Sequence, residues 1–226
     1  AAVEKAVSLA SAVSINVESP KKSAFEKLTD RKNYERDIVH PVKLISRLTA
    51  PGERYSRVKQ TTQFIVGASD ETDLDLVTAT KRLYSNLRLD RVYYSAYQRG
   101  LGNPAIPGEK STDEREAILT REHRLYQVDF LFRQYKWSIE DIAFNDGGKL
   151  SLDKDPKEIW AERHPEFFPV CLNKADKEEL LRVPGLGPVS ANLILKMRKN
   201  GKIHDMKQAG FKGKRLEKVK NYAILD

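Results

Sequence analysis

The segment Val183–Pro188 constrains the fold more strongly than any other part of this 226-residue chain. Pro184 cannot stand inside a helix, because it lacks an N–H and clashes with the preceding turn. Gly185 and Gly187 permit a positive φ and a close approach of the backbone, and Pro188 suits the first turn of a helix. The segment therefore predicts two helices joined by a tight turn, with the N–H groups that begin the second helix facing outwards, where they can bind an anion.

The charge distribution suggests which anion this is. The chain has a formal net charge of +8, and residues 171–226 carry +7 of formal charge where residues 111–170 carry −4. A basic region attracts polyanions over long distances and loses that attraction in salt. Taken alone, the charge is more typical of a lysine-rich surface that keeps a protein in solution. With the turn beside it, however, the charge favours a phosphate backbone.

The turn and its flanking helices, over about 174–200, resemble the helix-hairpin-helix DNA-binding motif. The resemblance implies that turn amides hold one phosphate and that nearby cations add charge, and it carries over to Val183, Gly185, Leu186, Gly187, Lys196, Arg198 and Lys199. The implied partner is nucleic acid, and DNA in particular, bound through its backbone without reading of bases. The alternative is a helix turn that only packs or binds protein. Residues 206–215 are interpreted as a second, degenerate copy.

The first half of the chain has the rhythm of a parallel α/β fold. Segments 11–18, 61–67 and 91–97 are predicted strands, and the residues between them, 73–87 among them, have helical spacing. Three strands are too few for a closed eight-stranded barrel. We predict an α/β chain, a partial (β/α) barrel over 1–110 followed by an all-helical domain over 111–226, with a boundary near 100–112. Trp137 and Trp160 are expected to pack in the helical domain.

Two groups of residues at the predicted strands are candidate ligand sites. Asn16 and Glu18 lie on the same face of a strand, because side chains alternate, and such a pair is costly to bury unless a ligand or water satisfies it. Gly67 and Ala68 follow the next strand, at the edge where parallel sheets bind ligands. The alternatives are a wet outer face for the first pair and a strand end for the second, with Asp70 or Thr72 capping the following helix.

The order of several segments carries a second resemblance. These segments are Asn16–Glu18, Phe64–Ala68, Glu71–Asp73, Arg91–Tyr97, Arg121–Asp129, Asp155–Ala161 and Phe168–Val170. Together with the hairpin they resemble the C-terminal half of the DNA modification and repair radical S-adenosylmethionine proteins, over essentially the whole chain. The resemblance implies a barrel of the radical S-adenosylmethionine type and a full-length enzyme that acts on nucleic acid. The alternative is a non-catalytic DNA- or RNA-binding module that keeps remnants of a barrel.

The same resemblance implies cofactors. Asn16 and Glu18 match the positions that hold the methionyl and ribose parts of S-adenosylmethionine, and Gly67 and Ala68 match the strand that passes the adenine. The family holds a [4Fe–4S] cluster with three cysteines in a C-x3-C-x2-C loop, whereas Cys171 is the single cysteine here. That loop, with the missing N-terminal half of the barrel, is expected before Ala1. This chain alone is therefore expected to bind no cluster, and the resemblance assigns no catalytic residue.

Composition limits which metal sites, disulfides and membrane segments the chain can contain. One cysteine cannot form an internal disulfide or a four-ligand zinc site, and the four histidines show no metal-like spacing. No apolar run approaches the ~20 residues that cross a bilayer, and the first residues do not read as a secretory signal. We therefore expect a cytoplasmic protein without a membrane partner.

Overall fold

A computed structural model describes residues 2–100 and 103–225. The chain divides into two compact units, which are treated separately below. The first unit contains the chain up to Asp129 together with Phe144–Leu152, and the second contains Phe130–Ala143 and the chain from Asp153 onward. The helix Arg115–Tyr135 contributes residues to both units. The predicted boundary near 100–112 lies within the residues of the first unit.

The secondary structure follows the predicted order. The elements up to α5 are α1 (Ala2–Leu9), β1 (Ala12–Ser14), α2 (Lys22–Leu28), α3 (His40–Leu48), β2 (Lys59–Val66), α4 (Asp73–Leu87), β3 (Arg91–Ala96) and α5 (Arg115–Tyr135). The later elements are α6 (Pro156–Arg163), β4 (Val170–Cys171), α7 (Lys177–Arg182), α8 (Pro188–Met197), α9 (Gly213–Lys220) and β5 (Ala223–Ile224). A π-helical segment covers Tyr34–Val39, and 3₁₀ turns cover Pro107–Lys110, Pro165–Phe167, Arg198–Asn200 and Met206–Ala209.

The first unit is built on a parallel sheet with the strand order β1-β2-β3. Ser14 pairs with Thr61 of β2, and Thr61 pairs in turn with Arg91 of β3. Alternate residues of β2 are buried, including Phe64 and Val66 at 0 % exposure, while the residues between them are half-buried. The prediction of parallel α/β structure is confirmed. The sheet is open, however, and the described residues show nothing that distinguishes part of a barrel from any other open parallel sheet.

Helix α4 shows how local sequence sets these elements. Its N-cap is Thr72, whose hydroxyl accepts from the Asp75 N–H while the Asp75 carboxylate accepts from the Thr72 N–H. This reciprocal pair satisfies two N–H groups that have no partner within the helix. The helix ends at Arg88, which adopts a left-handed φ of 53°. The predicted span 73–87 is confirmed, and Thr72 rather than Asp70 is the cap.

Two buried acids at the start of α4, Glu71 and Asp73, form a cluster with Arg121 of α5. The Glu71 carboxylate accepts from the Gly67 N–H at 2.6 Å and from the Ser69 N–H at 3.0 Å. Asp73, which is fully buried, accepts from Arg121 Nε at 2.6 Å and from the Leu150 N–H at 2.8 Å. These contacts join the carboxyl end of β2 to α5 and to the segment 144–152.

The second unit is not all-helical, so that prediction is wrong. β4 and β5 form a two-stranded parallel sheet in which Val170 pairs with Ala223, and the Leu172 N–H donates to Ile224 O at 2.9 Å. Two-residue strands are too short to produce an alternating pattern, which is why the sequence does not reveal them. The sheet ties together the two ends of the segment that contains α7, α8 and α9.

We expect replacement of a buried acid in the first unit to be strongly destabilising. Asp73→Ala removes the closer carboxylate of the buried Arg121 guanidinium and leaves only Glu71, at 4.0 Å, so the free energy of unfolding should fall by about 3–5 kcal/mol. Asp70→Ala is the matched control, because Asp70 pairs with Lys27 at 2.8 Å on the surface and exposed pairs contribute less than about 1 kcal/mol. Urea denaturation measures both variants. Equal losses would show that the buried cluster does not stabilise the unit.

Candidate nucleic-acid interface

The predicted hairpin is formed by α7, a tight turn and α8. α7 begins at Asp176, whose carboxylate accepts from the Glu179 N–H in a capping box. In the turn, Gly185 has a φ of +83°, and a Cβ on this residue would lie 3.2 Å from Val219 Cγ2 of α9. Both conditions require glycine. Gly187 is the N-cap of α8 and Pro188 its first residue, as the sequence predicts.

Several residues that the resemblance assigns to phosphate binding have buried side chains. Val183 is 0 % exposed and Leu186 is 1 % exposed, and both belong to the core cluster of the second unit. They anchor the turn and can offer nucleic acid only their backbones. The Leu186 N–H already donates to Val183 O at 3.0 Å, so this amide is used inside the turn.

The carbonyl groups of the turn are held by side chains from other elements of the same unit. Gly185 O accepts from Arg215 Nε of α9 at 2.7 Å. Leu186 O accepts from Lys157 Nζ of α6 at 2.5 Å and from the Tyr135 hydroxyl of α5 at 3.4 Å. Two cations and a hydroxyl thus fix the turn from its carbonyl side.

The N–H groups on the other side of the turn remain available. In the part of the chain that the structure describes, the Gly187 N–H has no acceptor. The Ala191 N–H donates to Gly187 O at 2.9 Å, so the N–H groups of Val189 and Ser190 precede the hydrogen-bond ladder of α8. Val189 is 84 % exposed, which places this helix N-terminus at the surface. The arrangement can accept an anion.

A second hairpin follows the first and repeats its backbone geometry. A 3₁₀ turn over Met206–Ala209 leads to Gly210, which has a φ of +81°. The next residue, Phe211, is 0 % exposed, and Lys212 is the N-cap of α9. This agrees with the interpretation of residues 206–215 as a degenerate copy. The copy differs in carrying a lysine, Lys212, where the first hairpin has a glycine.

The three predicted cations divide into two kinds. Lys196 and Lys199 are exposed on and just after α8. Arg198 is partly buried and donates to Ala175 O at 2.5 Å and to Lys174 O at 3.0 Å. These bonds hold the end of α8 against the segment before α7. Lys196 and Lys199 therefore remain candidates for phosphate contacts, whereas Arg198 has a structural task.

Sequence reasoning missed three cations that shape the hairpin, namely Lys157, Arg182 and Arg215. The Arg182 guanidinium lies 4.4 Å from the ring centres of both Trp137 and Trp160 and donates to Asp141 at 2.7 Å. The two tryptophans are buried, as predicted. No local pattern distinguishes these cations from surface lysines and arginines, because their partners are distant in the sequence.

Lys157 is unusual because it is a buried lysine. It is 8 % exposed, and its ammonium lies 4.8 Å from the centre of the Tyr135 ring. Burial, opposed by the charge of Asp155 and assisted by the charges of Arg182 and Arg215, lowers the pKa of Lys157 to about 7. The group beneath the turn therefore changes charge near neutral pH.

The residues predicted to bind S-adenosylmethionine lie in the first unit. Glu18 has a φ of 64° and pairs with Phe64 beside β2; burial raises its pKa, while Lys32 and a hydrogen bond from Asn16 lower it. Asn16 is exposed. The structure thus brings Asn16 and Glu18 together at the edge of the sheet.

The other half of this predicted cofactor site is covered by the protein itself. Ala68 is 1 % exposed, and its carbonyl accepts from the Gly108 N–H at 3.0 Å. The approach is so close that a Cβ on Gly108 would lie 2.6 Å from Gly67 O. The residues present therefore do not fit an adenine against Gly67 and Ala68, and we derive no step through this cofactor.

The remaining predictions concern metals and membranes. Cys171 is free and partly exposed. Across residues 2–100 and 103–225, no group of three or more His, Cys, Asp or Glu side chains is arranged to hold a metal ion. Within the same ranges, no helix combines the length and the apolarity needed to cross a bilayer.

Comparison with known proteins supports the hairpin. A family model described as the helix-hairpin-helix motif matches residues 168–223, a span that includes both hairpins and the β4–β5 pair. No curated protein and no solved structure matches the chain significantly. The motif suggests nucleic-acid binding. Membership of the radical S-adenosylmethionine family is not shown by these comparisons, and it stays a prediction.

The lowered pKa of Lys157 leads to a prediction about stability. The folded state holds this proton more weakly than the unfolded state, so the unfolded state binds more protons between about pH 7 and the ordinary lysine pKa of ~10.4. Over that window, the stability of the wild type relative to Lys157→Met should rise with pH, by at most about 1.4 kcal/mol per pH unit.

Urea denaturation at several pH values measures this difference. Lys220→Met is the matched control, because Lys220 is an exposed lysine on α9 and its replacement should give a difference that does not change with pH in this range. A constant difference for Lys157→Met would show that the buried amine keeps its ordinary pKa.

Proposed function

We propose that the second unit binds nucleic acid, and DNA in particular, by gripping the phosphate backbone at the first hairpin. The observation that carries this proposal is the difference between the carbonyl side and the N–H side of the turn. Its carbonyl groups at Gly185 and Leu186 are bound by side chains of the protein, whereas the Gly187 N–H and the N-terminus of α8 face outwards. The helix-hairpin-helix match over 168–223 supports the same function.

The chemistry of this site predicts binding with little sequence preference. Backbone N–H groups and lysines contact phosphates, and such contacts position a protein on nucleic acid without reading base edges. The net charge of residues 171–226, at +7, supplies the salt-sensitive attraction that dominates binding of this kind. Duplex DNA is the form that we propose, and single-stranded DNA and RNA of the same sequence are the comparisons.

A bulky residue at Gly187 should weaken DNA binding without unfolding the unit. Gly187 has an ordinary extended φ of −116°, and a Cβ there meets only the Tyr135 hydroxyl, at 3.5 Å. The β-branched side chain of Gly187→Val would lie next to the Gly187 N–H and hinder a phosphate from reaching this donor. We expect an affinity loss of about tenfold or more, equal to ~1.4 kcal/mol, measured by fluorescence anisotropy on a labelled duplex.

The matched control is Gly147→Val in the first unit. A Cβ on Gly147 also has its nearest neighbour at 3.5 Å, the Asn145 side-chain oxygen, so the two glycines offer similar space. The control should bind DNA like the wild type. If Gly187→Val also keeps full affinity while remaining folded, the turn is not the phosphate grip.

The exposed lysines after the hairpin should set the salt dependence. Each phosphate contact releases counterions, so Lys196→Ala and Lys199→Ala should each reduce the slope of log affinity against log salt by about 0.9. Lys5→Ala on α1, which is equally exposed, is the control and should leave the slope unchanged. Titrations at several salt concentrations give the slopes. Unaltered slopes for both hairpin lysines would remove them from the interface.

The enzymatic part of the resemblance remains a proposal about a longer protein. In that longer protein, [4Fe–4S] and S-adenosylmethionine would supply radical chemistry and the second unit would hold the nucleic acid. Its structural support is limited to the consecutive parallel strands β1-β2-β3, which many α/β proteins share. The covered edge at Gly67 and Ala68 argues against adenine binding at that position.

A further inference from the structure

We propose that Lys157 is a positioning residue for the phosphate grip, and that its ammonium makes nucleic-acid binding at the hairpin proton-linked. This inference rests on the proposed function and names a regulation of the same site. Lys157 lies on α6, outside the hairpin, and no resemblance assigns it a role. Its contact with the turn is the observation from which the argument starts.

The first step is the geometry of one peptide group. A trans peptide is planar, and its C=O and N–H point in opposite directions. Leu186 O and the Gly187 N–H belong to the same peptide. Lys157 Nζ lies 2.5 Å from Leu186 O, so the ammonium fixes this peptide from the inside while the N–H is directed to the outside. Polarisation through the peptide also makes the N–H a better donor.

The second step is the burial of the amine. Lys157 is 8 % exposed, its Nζ lies 4.8 Å from the centre of the Tyr135 ring, and Leu186 O also accepts from the Tyr135 hydroxyl. Water therefore screens the ammonium poorly from a charge that arrives on the other side of the peptide. A phosphate at the Gly187 N–H would feel a buried positive charge that a neutral amine cannot replace.

The third step is the set of charged groups around Lys157. Asp155 at the N-cap of α6 favours the ammonium, whereas Arg182 of α7 and Arg215 of α9 oppose it. Tyr135 of α5 stays neutral near pH 7, since burial raises its pKa to about 12. The ion pair of Glu158 and Lys218 joins α6 to α9 beside this group. The two arginines and burial together outweigh Asp155, and the pKa of Lys157 falls to about 7.

The sign of the linkage follows from these charges. A bound phosphate adds negative charge near the ammonium and raises the pKa of Lys157, so binding takes up a proton near neutral pH. Affinity should be full below about pH 7 and should fall as the pH rises through the higher pKa of the complex. An increase of one pKa unit on binding corresponds to a tenfold loss of affinity over this range.

Two variants separate charge from structure. Lys157→Met removes the ammonium and keeps the length of the side chain, while Lys157→Arg keeps a charge that does not titrate in proteins. Affinity for a labelled 20-base-pair duplex is measured by anisotropy from pH 6 to pH 9 at constant salt. We expect the wild type to lose about tenfold, Lys157→Met to bind weakly with little pH dependence, and Lys157→Arg to keep its affinity at pH 9.

The outcomes distinguish the two proposals. A wild type that fails to bind the duplex even at pH 6 overturns the proposed function and this inference with it. Binding with the same pH profile in the wild type and in Lys157→Met overturns the inference alone, because a merely structural lysine would shift affinity equally at every pH. The other charged and titratable groups are common to both proteins and cancel in this comparison.

A measurement on the unaltered protein covers the case in which the variants fail to fold. Calorimetric titration of the duplex at pH 7.5, in two buffers with different ionisation enthalpies, reports the protons taken up on binding. We expect the uptake of a fraction of one proton. A buffer-independent enthalpy would overturn the inference.

Discussion

The hairpin depends on a single constraint, namely that the carbonyl groups of its turn must be satisfied inside the protein. Leu186 is buried, where a backbone group without a partner is costly, and neither Leu186 O nor the half-buried Gly185 O has a helical partner to accept from. Arg215 and Lys157 donate to them, and they come from α9 and α6. Because these side chains hold the carbonyl side, the opposite side of the turn can keep free N–H groups at the surface. The proposed anion site therefore depends on several elements of the second unit.

The two hairpins stabilise each other for the same reason. Gly185 has a left-handed φ, and its missing side chain leaves room for Val219 of α9. Arg215 belongs to α9 as well, and besides Gly185 O it donates to the Ser190 hydroxyl at 2.6 Å. The short sheet of β4 and β5 closes the segment by joining its two ends. Removal of the second hairpin would therefore take away contacts that fix the first turn.

The sequence predicted what local rules control. Proline and glycine placed the turn at Val183–Pro188, and helical spacing placed α4 at 73–87, since both signals lie within a few neighbouring residues. The contact of Lys157 with Leu186 spans 29 residues and that of Arg215 with Gly185 spans 30. Nothing in either neighbourhood marks these cations. β4 and β5 were not predicted because a strand of two residues is too short to show alternating hydrophobicity. Arg198 was assigned to phosphate because a charge pattern cannot show that a guanidinium is bound to nearby carbonyls.

The two glycine-containing motifs of the chain differ in how many of their polar groups already have hydrogen-bond partners within the protein. After β2, Glu71 binds the Gly67 and Ser69 N–H groups, Thr72 caps α4, and Asp73 holds Arg121. Every acidic residue from Glu71 to Asp75 then has a structural partner, so this motif requires no ligand to explain it. At the hairpin the reverse holds, because the protein satisfies the acceptors and leaves donors at the N-terminus of α8. A site is better inferred from what a fold leaves unsatisfied than from a motif alone, and that criterion supports the hairpin as the proposed phosphate-binding surface.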